Sequence, residues 1–458
     1  MSAPTLHHGD CREVLRAYQD NFFDSSVDDA PYGLNALIDA KAMLTAWMAG
    51  EVYEPKGSGF MQRDWDKCVP GPDTWREVLR VLKPGAHLLV FGGSATVGLT
   101  EVALRLAGFE IRDQMQYLHG EGMPKGSTLD KTIDKKLGAE RKVVGTRTLT
   151  GNAAQTTKEK GGTYGANTDA RGVPAKVVPI TEPAKEWEGW APALKPAHEP
   201  IIVARKPLEK GLTLTQNVLK WGTGALNIDG CRIEADWEND PSKRGFGHGF
   251  NRPGDETGRA VPLAAKVKTA WEPPPLGRWP ANVLCDDIAG ALIDQQSGER
   301  PGMSGGGKHR ADYEGGMFGA IDGNPAHARG DSGGASRFFY HPKPIRNEKD
   351  AGLEGLDWLP DGRNPHVTVK GIDLMRYLVR LVTRPGGRCL DSHMGSGTTG
   401  IACKLEGFEF HGSEWEELSF RVAGARIDWW SLQRVAELGY VAPAPKAKEN
   451  PTQTELFA

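Results

Sequence analysis

The chain reads as an α/β protein built on a doubly wound, mostly parallel sheet, and two observations predict this. Short apolar runs suited to buried strands alternate with stretches of helical periodicity, as successive βαβ units require. Residues 387–414 then give strand, glycine turn, helix, strand and acid in succession, with Gly395, Gly397 and Gly400 in G-x-G-x-x-G spacing and Glu414 at the next strand end. This is a nucleotide-binding layout: glycines permit a tight turn and close backbone approach, and the carboxylate can accept from ribose hydroxyls. In a chain with 58 glycines the spacing alone is weak, but Leu390 before it suits a strand and Thr398, Ile401, Ala402 and Leu405 after it suit an amphipathic helix. Such loops usually open an α/β domain. Here it lies near the end of the chain, so earlier residues must complete its sheet.

At 458 residues the chain can bury a large core and divide into two parts. A net charge of −3 excludes a uniformly basic nucleic-acid binder and confines any DNA contact to a local basic face. Six scattered cysteines without a C-x-x-C pair point to reduced thiols rather than structural zinc. Neither a basic, apolar leader nor an 18-residue apolar stretch is present, so a cytoplasmic protein without membrane contact is expected.

Taken in order, His8-Gly9-Asp10-Cys11 precedes a helical pattern of Val14, Leu15 and Tyr18, which makes Asp10 a turn or helix-cap residue. A strand over 22–28 ends in Asp29-Ala30-Pro31-Tyr32-Gly33-Leu34. An acid, small or rigid residues and an aromatic at a strand's carboxyl end bring a carboxylate, a carbonyl and a ring to the crevice where open α/β sheets bind ligands.

Asp29-Ala30-Pro31-Tyr32 resembles the D-P-P-Y motif of the DNA amino-methyltransferases, and residues 391–400 resemble their D-P-F-x-G-S-G-T-T loop for S-adenosyl-L-methionine. The order, catalytic motif first and cofactor loop last, is similar to the permuted β class of that family and accounts for the misplaced loop. The resemblance implies a Rossmann-like methyltransferase sheet with an inserted target-recognition region. It also implies transfer of a methyl group to the exocyclic amine of a base flipped out of duplex DNA, adenine-N6 first and cytosine-N4 as the alternative. Asp29 and the carbonyl of Ala30, ahead of Pro31, would accept from the amine while Tyr32 stacks on the base. Asp10 and His393 would meet the cofactor adenine and Glu414 its ribose. Asp391, Met394, Gly395, Ser396, Gly397, Thr398 and Thr399 would hold its methionine end. Residues 364–371, resembling H-P-T-V-K-P, would add Thr368 and Lys370 to that end.

Between these motifs, residues 73–82 and 95–106 read as helices, with Leu99, Val102, Ala103 and Leu106 aligned on the second, and 86–91 and 109–117 as strands. Residues 57–66, with Gly59, Phe60, Trp65 and Asp66, resemble the segment after the family's catalytic loop. Periodicity fails over 120–192, which reads as a mobile or DNA-contacting insert inside a catalytic part, 1–206. The strand near Pro200–Ala204 resembles the family's K-P-x-x-E-P-I segment, with Glu199 ordering the site wall. Residues 207–345 read as the target-recognition region, with Asn217–Ile233, the basic residues Lys243, Arg244, His248 and Arg252, residues 304–310, and a closing strand at Ser336–Tyr340. A cofactor-binding part, 346–440, has a helix with Leu374, Tyr377, Leu378 and Leu381 on one face and a last helix with Leu418, Val422, Ala425 and Trp429 aligned. The tail, 441–458, is disordered by composition, and its Gln453–Phe457 peptide resembles the Q-x-x-L-F ligand of the bacterial sliding clamp.

Three departures from the family pattern stand out: Ala30 for proline, Ser392 and His393 for Pro-Phe, and Gly371 for proline. They weaken preorganisation without deleting a polar catalytic group, so activity is expected, at reduced level. Two other classes share part of the pattern: a catalytically silent DNA-binding relative, and a nicotinamide-dependent oxidoreductase in which Asp29–Tyr32 has no role. Monomer and homodimer are both open, as are restriction-modification and phage self-protection.

Overall fold

The computed structural model describes residues 3–34, 38–55, 64–120, 126–141, 143–146, 175–233, 277–299, 333–342, 347–366 and 368–430. Gly59 and Phe60, the basic residues 243, 244, 248 and 252, residues 304–310, the Thr148–Gly172 stretch and the Gln453–Phe457 peptide lie outside these ranges.

Residues 1–120 and 198–458 form one compact unit and 121–197 another. The larger unit is built on β1 (Thr5–His8), β2 (Phe23–Asp28), β3 (Leu82–Phe91), β4 (Glu110–Leu118), β7 (His198–Arg205), β8 (Val283–Cys285), β9 (Arg388–Asp391) and β10 (Glu409–Glu414). Among the described residues these eight make one sheet, ordered β1-β10-β9-β2-β3-β7-β4-β8. Every neighbouring pair is parallel except those of β7, which runs antiparallel to both β3 and β4. The doubly wound sheet expected from the sequence is therefore present, with one reversed strand.

The run Leu88-Leu89-Val90-Phe91 shows why central strands read as continuous apolar stretches. Leu88 and Val90 pack on one face with Trp75, Val78 and Leu104, while Leu89 and Phe91 pack on the other with Leu378, Met375 and Ile401. Both faces are covered by helices, so period-2 alternation has no solvent side to mark. Full burial of each such side chain contributes about 1.5–3 kcal/mol.

Two helices sit rotated from the expected stripe. In Val97–Ala107 the buried face is Thr100, Ala103, Leu104 and Ala107, and Val102 is partly exposed. The helix is apolar on several sides, so two adjacent stripes fit the period equally well. In Glu417–Trp429 the inward face is Ser419, Val422, Ala423, Arg426 and Ile427, and Leu418 faces out, because a buried arginine belongs to the stripe.

Ser336–Tyr340 is not a strand. The Asp294 carboxylate accepts from the Ser336 amide at 2.8 Å and its hydroxyl at 2.7 Å, which winds Ala335–Phe338 into a 3-10 turn and leaves Tyr340 a single bridge to Leu284. Within the expected target-recognition region, the start of Asn217–Ile233 braces β3. Buried Asn217 donates to the Pro84 and Thr223 carbonyls, both at 2.9 Å, beneath the positive-φ bend at Gly85. Val283–Cys285, from the same region, extends the main sheet as its edge strand.

Among its described residues the smaller unit has packed elements, where a mobile or DNA-contacting insert was expected. Helix Leu129–Lys136 is tied by buried charge to the start of helix Glu182–Glu186, and β5 (Val143–Thr146) and β6 (Ala175–Val177) form an antiparallel pair. Arg141 donates to Asp130 at 2.5 Å and Asp134 at 2.9 Å, and Asp134 also accepts from the Thr181 hydroxyl at 2.7 Å. This arrangement is invisible to hydrophobic periodicity because polar groups hold it.

Candidate active site

From the adjacent strands β9 and β2 the chain leaves in opposite directions, β9 towards β10 and β2 towards β3. Their carboxyl ends therefore open a crevice where parallel α/β sheets bind ligands. A cavity of about 560 Å³ lies there. It is lined by Asp29, Ala30, Pro31 and Tyr32 after β2, by Asp391, His393, Met394, Gly395, Ser396, Thr398 and Thr399 after β9, and by Asp10, Glu414, Thr368 and Lys370. Segments far apart in sequence thus meet. Gly397 alone among the candidates does not line it.

The glycine turn is built from beneath. Gly395 and Gly397 take φ of +51° and +81°, the left-handed region that glycine enters without penalty. Glu414 closes the turn, its Oε2 accepting from the Gly395 amide at 2.9 Å and its Oε1 from Glu416 at 2.8 Å. Burial pushes the Glu414 carboxyl up from its ordinary range, against these two amides. Arg426 donates to the Ser396 carbonyl at 2.6 Å and to the Thr398 hydroxyl at 3.2 Å. Burial lowers its guanidinium to about 10. A Cβ on Gly397 would lie 2.9 Å from Ala423 Cβ and 3.0 Å from its Cα. Gly397→Ala is therefore expected to cost about 1–3 kcal/mol, read as a lowered urea midpoint with unchanged m.

The turn is also tied to β2. Asp28, fully buried at the end of β2, accepts from the Ser392 amide at 2.8 Å, the Ser392 hydroxyl, the Ser26 hydroxyl at 2.5 Å and His393 Nδ1 at 3.3 Å. His393 Nε2 faces Cys11 Sγ at 3.9 Å. Burial opposes charging of this imidazole, but Cys11 and Asp28 outweigh it and hold its pKa well above the usual histidine range. Burial, with Asp28 next to it, holds the Asp391 carboxyl well up. Asp10 caps the helix Cys11–Arg16 and is gripped by Arg12 at 2.6 Å, which lowers its pKa. It lines the cavity with its carboxylate already paired.

At the other end, Asp29 Oδ2 accepts from Lys370 Nζ at 2.8 Å, while Asp29 Oδ1 is buried with no hydrogen-bond partner among the described residues. Lys370 also donates to Tyr32 Oη at 3.1 Å and lies 3.3 Å from Glu199 Oε2, and Tyr32 donates to the same Glu199 oxygen at 3.1 Å. Burial raises the Asp29 pKa against the pull of Lys370. Burial likewise works against the Lys370 ammonium, but Asp29, Tyr32 and Glu199 hold it well above its ordinary value. The loop itself is pinned by Thr96, whose hydroxyl donates to the Tyr32 carbonyl at 2.6 Å, and by Asp66, which accepts from the Gly33 amide at 2.8 Å. Lys370, which the motif resemblance assigns to the cofactor's methionine end, lines the cavity and is bonded to Asp29.

Asp28, Arg426 and Thr96 were not singled out from sequence. A signal existed for two of them: Asp28 is the acid beside Asp29 at the strand end, and Arg426 falls four residues after Val422 on the inward stripe.

The glycine turn and the largely buried Asp29–Tyr32 loop thus share one cavity at the carboxyl ends of a doubly wound sheet, where open α/β folds bind ligands. The sequence model of the DNA methylase family matches residues 71–423, and the chain belongs to that family. It is 24% identical over 157 residues to the type II methyltransferase M.HindIII of Haemophilus influenzae, a match covering 34% of this chain and 37% of that protein, so the chain spans little over a third of that relative's length. Among solved structures, the PvuII DNA methyltransferase (cytosine-N4-specific) aligns at 10% identity and a TM-score of 0.40, over 96% of this chain and 92% of that one. A complex of M1.HpyAVI with SAM aligns at 12% identity and 0.36, over 93% and 98%. Among the described residues, no helix is long and apolar enough to cross a membrane.

Proposed function

We propose that the chain is a site-specific DNA methyltransferase that transfers a methyl group from S-adenosylmethionine to the N6 amine of an adenine flipped out of duplex DNA. The observation that carries this reading is the buried Oδ1 of Asp29, without a hydrogen-bond partner among the described residues, in the same cavity as the glycine turn and Glu414. A carboxylate oxygen desolvated with nothing to accept from is costly unless a ligand donor completes it.

The residues fit the donor. The Gly395 turn lets a small ligand approach backbone closely. Glu414 uses one acceptor site of each oxygen on backbone amides and keeps others for ribose hydroxyls. The carboxyl groups of Asp391 and Glu414 line the cavity and offer oxygen acceptors to the donor's polar groups. When bound, S-adenosylmethionine supplies an electrophilic methyl group on a sulfonium.

The protein's own contribution is positional. An exocyclic amine is a poor nucleophile because its lone pair is delocalised into the ring. Hydrogen bonds from that amine to Asp29 Oδ1 and the Ala30 carbonyl favour a tetrahedral nitrogen with its lone pair free. Tyr32, fixed through its hydroxyl, offers a ring for the base, and holding amine and donor in one cavity supplies much of the rate. An aspartate rather than a serine at position 29 favours adenine.

Nucleoside digestion of DNA labelled by the enzyme tests the base. Methyl label in N6-methyladenosine is expected. Label in N4-methylcytidine instead would overturn the choice of adenine and leave methyl transfer standing.

A further inference from the structure

Three charged side chains from separate segments meet at the catalytic end of the cavity: Asp29 after β2, Glu199 on β7, and Lys370 ahead of the helix Ile372–Val382. Lys370 Nζ donates to Asp29 Oδ2 at 2.8 Å and to Tyr32 Oη at 3.1 Å, and forms an ion pair with Glu199 Oε2 at 3.3 Å. Its side chain is only 11% exposed, and Nζ sits 4.8 Å from the centre of the Phe91 ring. The ammonium's charge is therefore met within the protein, by Asp29 and Glu199.

What it does is select between the two oxygens of Asp29. Oδ2 is committed to Lys370, and Oδ1 remains for an incoming donor. Glu199 grips both Lys370 and Tyr32, so one carboxylate fixes the two groups that flank Asp29. Two carboxylates and one ammonium leave this cluster one net negative charge. A nitrogen that gains a methyl group becomes more positive until it loses a proton, so fixed negative charge beside it stabilises the transition state more than the ground state.

We infer that Lys370 and Glu199 are positioning residues for methyl transfer: Lys370 locks Asp29 so that Oδ1 meets the target amine, and Glu199 holds Lys370 and Tyr32 while keeping the cluster net negative. In the reaction the nitrogen–methyl bond forms as the sulfur–methyl bond breaks, the sulfonium becomes a neutral thioether, and the amine's proton passes to Oδ1. The inference rests on the methyltransferase reading above. The titratable groups facing Asp29 are Lys370, Tyr32 and Glu199, with His119 and Tyr117 behind Glu199.

The test measures kcat and KM against pH for the full-length wild type, Lys370→Met, Lys370→Arg and Glu199→Gln, with donor affinity taken from calorimetry with S-adenosylhomocysteine. Lys370→Met is expected to lower kcat about a hundredfold, since a displaced reacting group costs that much. Its acid limb should move to higher pH, because Asp29 loses the ammonium that favours ionisation. Glu199→Gln should lower kcat while its acid limb moves to lower pH, because the neighbouring negative charge is gone. Each limb should shift by about one pH unit. Lys370→Arg should regain part of the loss, and product affinity should be unchanged throughout. Acid limbs that stay put, or move together, overturn the inference while methyl transfer by the wild type stands. If Lys370→Met does not fold, the direction of the Glu199→Gln limb decides alone. Absence of transfer by the wild type would overturn the functional reading and this role with it.

Discussion

Asp29→Ala is expected to reduce methyl transfer to DNA by about 10²–10⁴-fold while leaving donor binding intact. The carboxylate is at the reacting end of the cavity, and neither of its oxygens bonds to the glycine turn, Glu414 or Asp10. Its loss removes the acceptor for the amine and leaves Lys370 with the Tyr32 hydroxyl and the Glu199 carboxylate. Asp29→Asn keeps the shape but presents an amide, and should lose most of the activity as well. Single-turnover transfer at saturating donor, with calorimetry for donor affinity, separates the two effects. A large fall in donor affinity would place Asp29 in the wrong subsite.

Asp28→Ala is expected to be the most damaging substitution for the fold of the site. Asp28 takes four donors in a fully buried position: the Ser392 amide and hydroxyl, the Ser26 hydroxyl and His393 Nδ1. Each buried donor left unsatisfied costs about 1–3 kcal/mol, and removal of one partner from a buried charged network about 3–5 kcal/mol, so a loss of about 3–5 kcal/mol is expected. Because these donors carry the glycine turn, the variant that remains folded should also bind donor poorly. Urea unfolding followed by calorimetry checks both. A loss under 1 kcal/mol with normal donor binding would contradict this account of the turn.

Much of this was legible in the sequence. The strands around Leu88–Phe91 and Pro200–Ala204 announce themselves because burial on both faces makes them continuously apolar, and glycine spacing marks the turn because only glycine enters positive φ freely. The loop Asp29–Tyr32 stands out through its residue types at a strand end. Contacts made by polar groups across long sequence separations were not legible. Periodicity carries no sign that Lys370 reaches Asp29, that Asp28 receives Ser392, or that Asp294 winds Ser336 into a turn. Arg426 belongs to a buried stripe from which a hydrophobic pattern excludes arginine, so the last helix was read one position out of phase.

The measurement that bears most directly on the central claim is transfer of tritiated methyl from S-adenosylmethionine to unmethylated bacterial genomic DNA by the purified full-length chain. Label should accumulate in the DNA over many turnovers and vanish with Asp29→Ala. Donor bound by the wild type, with no label reaching such DNA, would contradict the claim.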